Sequence, residues 1–150
     1  MLCKACALVL ISYILYMVFE VHLTDSCNRS CPFCSFAKNS FIETHDNIVK
    51  FCREIERRNP DRFQINLFGG EPLVNSKEVK YIIDFFREND NCKIWLFTNG
   101  DLFNEISDRR YLDRIHAQIS VYDIFTKLDK YRLWLDNLNN DHIRFTYTFT

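Results

Sequence analysis

The hydrophobic positions of the chain change their period several times, and each change predicts the end of one secondary-structure element. Short apolar runs with partial alternation predict five β-strands, at residues 17–24, 63–68, 93–97, 118–123 and 143–150. Between several of these strands, apolar residues recur at intervals of three or four, which indicates amphipathic helices. Strands that alternate with helices predict parallel βαβ units with right-handed crossovers.

Helix boundaries can be predicted from the residues that flank the apolar runs. The first helix is expected over residues 44–59, with Thr44 as its N-cap. Residues 75–78 resemble a capping box, which predicts the start of a second helix. A short helix is expected over residues 102–107 and a longer one over residues 126–138.

Candidate chemistry follows the predicted strands. Cys27, Cys31 and Cys34 come after the first strand with the spacing C-x3-C-x2-C. Three thiolates on one loop can converge on one metal centre and leave a metal position open for a substrate or cofactor. Gly-Gly-Glu-Pro at residues 69–72 follows the second strand, and Thr-Asn-Gly at residues 98–100 follows the third. Because ligands of parallel sheets bind at the carboxyl ends of the strands, these segments are expected to share one site.

Each of these segments also has a simpler interpretation. The cysteine spacing fits part of a zinc site with His45, Cys52 or Cys92 as the fourth ligand. Gly-Gly-Glu-Pro and Thr-Asn-Gly are ordinary turn signals when they stand alone. A serine within a strand, such as Ser120, is usually structural. The residues considered one motif at a time leave these alternatives open.

The combination of motifs resembles a known family, the radical S-adenosylmethionine (radical SAM) enzymes. The three cysteines, with the aromatic Phe33 before the last of them, are similar to the family's cluster-binding signature. Residues 69–72 resemble its GGEP motif, and residues 98–100 resemble its TNG strand end. The resemblance covers about residues 17–150. It implies an α/β fold in which parallel (βα) repeats form a partial, incomplete TIM-like barrel.

The resemblance also implies cofactors and site residues. Three thiolates would hold a four-iron four-sulfur (4Fe–4S) cluster, whose fourth iron binds S-adenosylmethionine (SAM). An electron from the cluster would cleave SAM to a 5′-deoxyadenosyl radical that abstracts hydrogen from a substrate. The implied metal ligands are Cys27, Cys31 and Cys34. The implied cofactor-binding residues are Phe33, Gly69, Gly70, Glu71, Pro72, Thr98, Asn99 and Ser120.

Within this set, the GGEP segment is expected to hold the amino group of SAM. The two glycines let backbone carbonyls approach that group, and the carboxylate of Glu71 is expected to accept a charge-assisted hydrogen bond from it. A valine at Gly70 is therefore expected to block SAM while the cluster stays in place. No further residue is assigned a catalytic role.

The resemblance narrows the function to a class of oxidoreductase. Residues 66–73 are most similar in style to members that modify peptides or proteins. The expected partners are a peptide or protein substrate and an electron donor such as flavodoxin or ferredoxin. One alternative is an activating enzyme that installs a glycyl radical on a partner protein. An alternative from a different class is a non-catalytic zinc-binding module.

The amino-acid composition argues against several other classes of protein. A length of 150 residues fits one domain, and an apolar content of 47% can supply its core. With 19 basic and 20 acidic residues the net charge is −1, so there is no overall basic footprint for nucleic acid. Seven cysteines, an odd number, argue against a secreted disulfide framework and for reduced thiols in the cytoplasm.

The ends of the chain depart from the family pattern. Residues 1–16 are interpreted as an apolar N-terminal extension, with Met17 as a natural start. Residues 17–150 are interpreted as a radical SAM core that is incomplete at its C-terminus, because the family adds a sixth βα unit. The uncharged run at residues 5–19 is shorter than the ~20 residues of a membrane span. It lacks a signal-peptide cleavage site, and membrane association is not expected.

Overall fold

The computed structural model of the chain describes residues 16–34, 41–121 and 131–147. Five strands form one sheet in the sequential order β1 to β5. All four neighbouring pairs are parallel. The strands are β1 (Tyr16–Thr24), β2 (Arg62–Gly69), β3 (Cys92–Thr98), β4 (Ile115–Val121) and β5 (Ile143–Tyr147).

Helices and 3-10 turns connect the described strands. The helices are α1 (His45–Arg58), α2 (Ser76–Phe85), α3 (Arg109–Leu112) and α4 (Arg132–Asn137). The 3-10 turns are Pro72–Asn75, Phe103–Glu105 and Asn140–His142. The expected class, an α/β partial TIM-like barrel built from parallel repeats, is confirmed.

Helix α1 shows how local sequence sets an element's ends. Thr44 caps it, because its side chain accepts a hydrogen bond from the backbone N–H of Asn47. Asn59 ends it with φ at 44°, the left-handed conformation that Asn tolerates better than most residues. Ile48, Cys52 and Ile55 are buried against the sheet. Their spacing is the one from which the sequence predicted the helix.

The sheet has one face packed against helices and one face that lines the lumen of the partial barrel. In β2, buried residues alternate with half-buried ones, as the two-residue period of a strand requires. The helix-packed positions of β2 are Phe63, Ile65 and Leu67, and its lumen positions are Gln64, Asn66 and Phe68. The same alternation in β4 gives Ile115, Ala117, Ile119 and Val121 on the helix side. Polar side chains near the carboxyl ends therefore point into the lumen.

Two helix predictions are wrong in detail. No capping box forms at residues 75–78, because the Asn75 side chain makes no cap hydrogen bond. Its amide instead donates to the carbonyls of Leu23 and Glu43, and so ties the turn before α2 to the end of β1. The region predicted as a helix over residues 102–107 is a 3-10 turn at Phe103–Glu105.

Other predictions extend beyond the described residues. Strand β4 begins at Ile115, earlier than predicted, and residues 122 and 123 of the prediction lie outside the described part. The same holds for residues 126–130 of the longer predicted helix and for residues 148–150 of the last strand. Residues 1–15 also lie outside it, so the division at Met17 stays a prediction. Among the residues that the structure describes, no helix combines the length and apolar character needed to cross a membrane.

Candidate functional site

A cavity of about 330 Å³, which we call the mouth cavity, opens at the carboxyl ends of strands β1 to β4. Three predicted segments meet there, although they are far apart along the chain. The cavity is lined by Glu20, Cys27, Arg29, Cys31, Cys34, Asn66, Phe68, Gly69, Gly70, Phe97, Thr98, Asn99 and Ser120. It thus brings together all three cysteines, both glycines, the Thr-Asn pair after β3, and Ser120.

The cysteine loop follows β1 directly and carries free thiols. The sulfur of Cys27 lies 3.4 Å from the backbone nitrogen of Arg29 and 3.8 Å from the side-chain nitrogen of Asn99, both of which donate to it. The backbone N–H of Cys34 donates to the carbonyl of Cys31 at 3.2 Å, which tightens the second half of the loop. These two contacts hold the Cys27 sulfur against the Arg29 backbone and the Asn99 side chain.

An arginine–aspartate pair fixes the cysteine loop to the end of β3. Arg29 binds the carboxylate of Asp101 through two nitrogens, with Nε···Oδ2 at 2.5 Å and Nη2···Oδ1 at 2.6 Å. Its Nη2 also donates to the carbonyl of Asn99 at 3.1 Å. Hydrogen bonding to Asp101 is the main cause that raises the pKa of Arg29, so the guanidinium stays charged. Sequence reasoning missed this pair, and its only signal was the position of each residue inside or beside a motif.

The two glycines are required by packing between loops. Gly69 has φ of +147°, and a Cβ on Gly70 would lie 2.4 Å from the carbonyl oxygen of Ser26 and 2.5 Å from that of Asp25. The Gly70 N–H donates to the carbonyl of Thr24 at 2.6 Å, and the next N–H donates to Ser26. Because neither glycine has a side chain, the loop after β2 can lie directly on the loop that leads into Cys27.

Glu71 is buried behind the cavity and does not line it. Its exposed fraction is 0%, and its carboxylate accepts hydrogen bonds from Thr98 Oγ1 at 2.7 Å, Asn99 N at 2.8 Å and Leu73 N at 3.2 Å. Burial raises the pKa of Glu71, and these hydrogen bonds oppose that shift. The expected contact between this carboxylate and the SAM amino group stays a prediction, and here the carboxylate faces Thr98 and Asn99. Its place is between β2 and β3, where it orders the Thr-Asn-Gly turn.

The remaining predicted residues divide between the cavity and its surroundings. Thr98 and Asn99 line the cavity, and Thr98 Oγ1 also accepts a hydrogen bond from the Gly100 N–H at 3.0 Å. Pro72 is buried in the 3-10 turn outside the cavity lining. Phe33 is 39% exposed and likewise does not line it.

The candidate fourth ligands of a zinc site lie away from the cysteine loop. His45 pairs with Glu78, with Nδ1···Oε2 at 2.9 Å, at the start of α1. Burial in the core raises the pKa of Cys52 and of Cys92 to about 12, which keeps both as neutral thiols. Within residues 16–34, 41–121 and 131–147, no three His, Cys, Asp or Glu side chains are grouped closely enough to hold a single ion.

Sequence reasoning also missed the strand residues that line the cavity. Glu20, Asn66, Phe68 and Phe97 occupy lumen positions on β1, β2 and β3. In each alternating strand, these residues occupy the polar or aromatic positions. The alternation alone did not identify them as cavity residues, because the sequence does not show which face of the sheet lines the lumen.

The three acceptor contacts of Glu71 lead to a stability prediction. Glu71→Gln keeps the shape but turns one acceptor oxygen into a donor, which leaves a buried N–H or O–H unpaired. The free energy of unfolding is expected to fall by about 1–3 kcal/mol. Denaturant unfolding measures it, with Glu56→Gln on exposed α1 surface as the control, expected within about 0.5 kcal/mol of wild type. Equal stability of the Glu71→Gln protein and wild type would contradict the buried role.

Comparison with known proteins adds a family match. The family model described as "Radical SAM superfamily" matches residues 21–146. The radical SAM cyclopropyl synthase TigE of Paramaledivibacter caminithermalis is 27% identical over 121 residues, which cover 67% of this chain and 25% of that protein. The chain therefore spans about a quarter of this relative's length.

Solved structures show a similar fold. Native anSMEcpe with bound AdoMet and the Kp18Cys peptide superposes with a TM-score of 0.67 at 15% identity, covering 88% of this chain and 42% of that one. BtrN in complex with AdoMet and 2-DOIA superposes with a TM-score of 0.63 at 18% identity, covering 87% of this chain and 56% of that one. At these identities the superpositions establish the shared fold.

Proposed function

This chain belongs to the radical SAM superfamily, and from that premise we propose that its mouth cavity binds a 4Fe–4S cluster and SAM side by side. The cofactors of the superfamily are that cluster and SAM. The observation that carries the proposal is the convergence of three cysteines, two glycines and the Thr-Asn pair around one cavity of about 330 Å³.

The residues at the cavity fit a cluster better than a single ion. A cluster takes one thiolate on each of several irons, so its ligands need not crowd around one atom. The three thiols share the cavity lining, and the Cys27 sulfur already receives two N–H donors. Cys27, Cys31 and Cys34 would hold the cluster, and the fourth iron would be left for SAM.

The other residues at the cavity would bind SAM or position the residues that bind it. Gly69 and Gly70 present backbone, without side chains, beside the cysteine loop, where the amino group of SAM would lie. Asn99 and Ser120 offer polar side chains from β3 and β4 toward the rest of SAM. Glu71 acts as a positioning residue, because it holds the Thr98 side chain and the Asn99 backbone from behind.

The chemistry that follows is reductive cleavage of SAM. Held by Cys27, Cys31 and Cys34 and reduced, a cluster would supply the one electron needed to break a carbon–sulfur bond of SAM, which would give methionine and a radical able to abstract hydrogen from substrate. The chain's own contribution is orientation and exclusion of water. Arg29 and Asp101 hold the cysteine loop against β3, so the cluster ligands and the SAM-binding segments keep a fixed spacing.

The proposed substrate is a peptide or protein, and the electron donor is a flavodoxin or ferredoxin. Support for the substrate comes from the style of residues 66–73 and from the neighbour anSMEcpe, whose structure contains a peptide. The neighbour BtrN has the same fold and was solved with 2-DOIA rather than with a peptide, so the fold alone does not decide the substrate class.

Cleavage of SAM by the full chain tests the proposal. After anaerobic reconstitution with iron and sulfide, reduction with dithionite should yield 5′-deoxyadenosine and methionine in equal amounts, measured by mass spectrometry. Omitting dithionite should abolish both products, because no electron is available. A fully iron-loaded, reduced protein that leaves SAM intact would overturn the proposed activity of this chain.

The substrate class is tested in the same assay by isotope transfer. A deuterated peptide digest should place deuterium in the 5′-deoxyadenosine, because the radical takes hydrogen from its substrate. Transfer from a deuterated extract of small metabolites, with none from peptides, would replace the peptide assignment.

A further inference from the structure

The lumen face of the sheet continues below the mouth cavity, toward the amino ends of the strands. Phe97 and Ser120 line the cavity, and residues two or four positions earlier on the same strands face the same side. Trp95 on β3 therefore lies about 7 Å below Phe97, at a strand rise of ~3.3 Å per residue. We call the group at this level the lumen floor; its members are Lys93, Trp95, His116, His142 and Arg144.

Ring contacts hold the lumen floor together. The Trp95 and His116 rings stack at 4.9 Å with an interplanar angle of 19°, and they come from directly paired positions of β3 and β4. The guanidinium carbon of Arg144 lies 4.4 Å from the Trp95 ring centroid, reaching across from β5. His142 lies 4.3 Å from His116, ring to ring. The arginine is thus held in place by stacking on tryptophan.

The charge of the lumen floor is of one sign. The lumen positions of β3, β4 and β5 carry Lys93, His116 and Arg144, and none of these positions carries an acid. Among the described residues, neither Lys93 nor Arg144 forms a salt bridge. Both side chains are exposed, so a ligand can reach them.

A buried ring nitrogen adds a second, independent observation. His116 Nδ1 is inaccessible to solvent and has no hydrogen-bond partner among the described residues. Burial is the first cause that lowers the pKa of His116; His142, Lys93 and Arg144 lower it further, while a hydrogen bond to the backbone of Asp141 opposes the shift. An anion beside these groups would offset the positive charges of Lys93 and Arg144, which both lie near the His116 ring.

We propose that the lumen floor binds an anionic group, a carboxylate or a phosphate, through Arg144 and Lys93 beside the stacked Trp95 and His116. Anion binding at the lumen floor does not depend on the proposed function. Only the identification of the bound molecule as the substrate rests on it. An anionic end anchored at the floor would direct the rest of an extended substrate toward the mouth cavity, where the hydrogen abstraction is proposed. The floor thus selects for substrates that carry an anionic end.

The two tryptophans of the chain provide a direct readout. Trp95 lies in the floor, whereas Trp134 is fully buried and donates to the carbonyl of Gly100 at 2.9 Å. In proton–nitrogen correlation spectra of the full chain, inorganic phosphate or succinate is titrated against chloride at constant ionic strength. The Trp95 indole signal is expected to shift to saturation while that of Trp134 stays fixed. The anion that binds more tightly identifies the group as phosphate or carboxylate.

Variants distinguish anion binding at the lumen floor from a general effect of salt on the protein. Arg144→Gln should weaken binding about tenfold or more, since it removes a charge-assisted contact. Lys93→Gln should also weaken binding, and because Lys93 lies on β3, separated by β4 from Arg144 on β5, this variant keeps the test valid if the first one unfolds. Arg132→Gln, on exposed α4 surface, should bind as wild type does. An unmoved Trp95 signal with both anions, or equal binding by the Arg144→Gln and Lys93→Gln proteins and wild type, would overturn the inference.

The titration requires neither cluster nor SAM, so its failure is separate from that of the proposed function. Saturable anion binding by a chain that does not cleave SAM would support the floor as a site and remove only its link to hydrogen abstraction. SAM cleavage by a chain whose Trp95 signal never moves would keep the enzyme and remove the anion site.

Discussion

Replacing any one of Cys27, Cys31 or Cys34 with alanine is expected to abolish the iron–sulfur cluster. The three thiols line one cavity, and within the described residues no other cysteine lies in its lining. Two thiolates cannot hold the cluster in place, so iron content after anaerobic reconstitution should fall from about four per chain to near zero. Iron assay and the visible absorption of the reconstituted protein measure the loss, and SAM cleavage should disappear with it.

Cys92→Ala and Cys52→Ala are the matched controls. Both cysteines are buried in the core, and burial raises the pKa of each to about 12, which keeps them from serving as thiolate ligands. Each variant should load iron as wild type does while losing a small amount of stability, because the core loses one buried sulfur. A Cys31→Ala protein with full iron content would show that the ligand assignment is wrong.

Gly70→Ala is expected to remove both cofactors together. An added Cβ would press on the carbonyl oxygens of Asp25 and Ser26, at 2.5 and 2.4 Å, and both are backbone atoms that cannot swing aside. The loop that leads into Cys27 must shift instead. Overpacking of this kind is expected to lower the free energy of unfolding by about 2–3 kcal/mol. Iron loading and SAM binding should decline in parallel, measured by iron assay and by electron paramagnetic resonance of the reduced cluster with added SAM.

This outcome differs from the one predicted by the motif alone, in which a larger side chain at Gly70 blocks SAM and spares the cluster. Val74→Ala is the control, because Val74 is 41% exposed on the turn that follows. It should leave both cofactors unchanged. A Gly70→Ala protein that kept its iron and lost only SAM binding would contradict the packing argument and restore the simpler one.

The positions of the strands were predictable because each strand carries its own signal. Alternating apolar residues within a strand bury one face of it, and that local requirement predicted all five strands to within a few residues. The site's location followed from topology, because the motifs stand at the carboxyl ends of parallel strands. The cysteine loop, the two glycines and the Thr-Asn pair were therefore expected at one mouth, and the structure brings them together there.

The direction in which each side chain points was not predictable in the same way. Glu71 resembled a cofactor ligand, yet its carboxylate turns toward Thr98 and Asn99, 27 and 28 positions away. A buried carboxylate needs several donors, and two of the three here come from the end of β3 and the residue after it, the third being the nearby Leu73 N–H. In the same way, Arg29 meets Asp101 across 72 positions.

The sequence by itself thus determined the family, the order of strands and helices, and the residues gathered at the mouth, because these depend on local periodicity and on motifs of adjacent residues. Only the tertiary structure decided that Gly69 and Gly70 make room for backbone of the neighbouring loop, and that Arg144 covers Trp95 in the lumen floor. These facts are contacts between segments far apart in the chain. Such contacts depend on the register and twist of the assembled sheet, which no local pattern specifies.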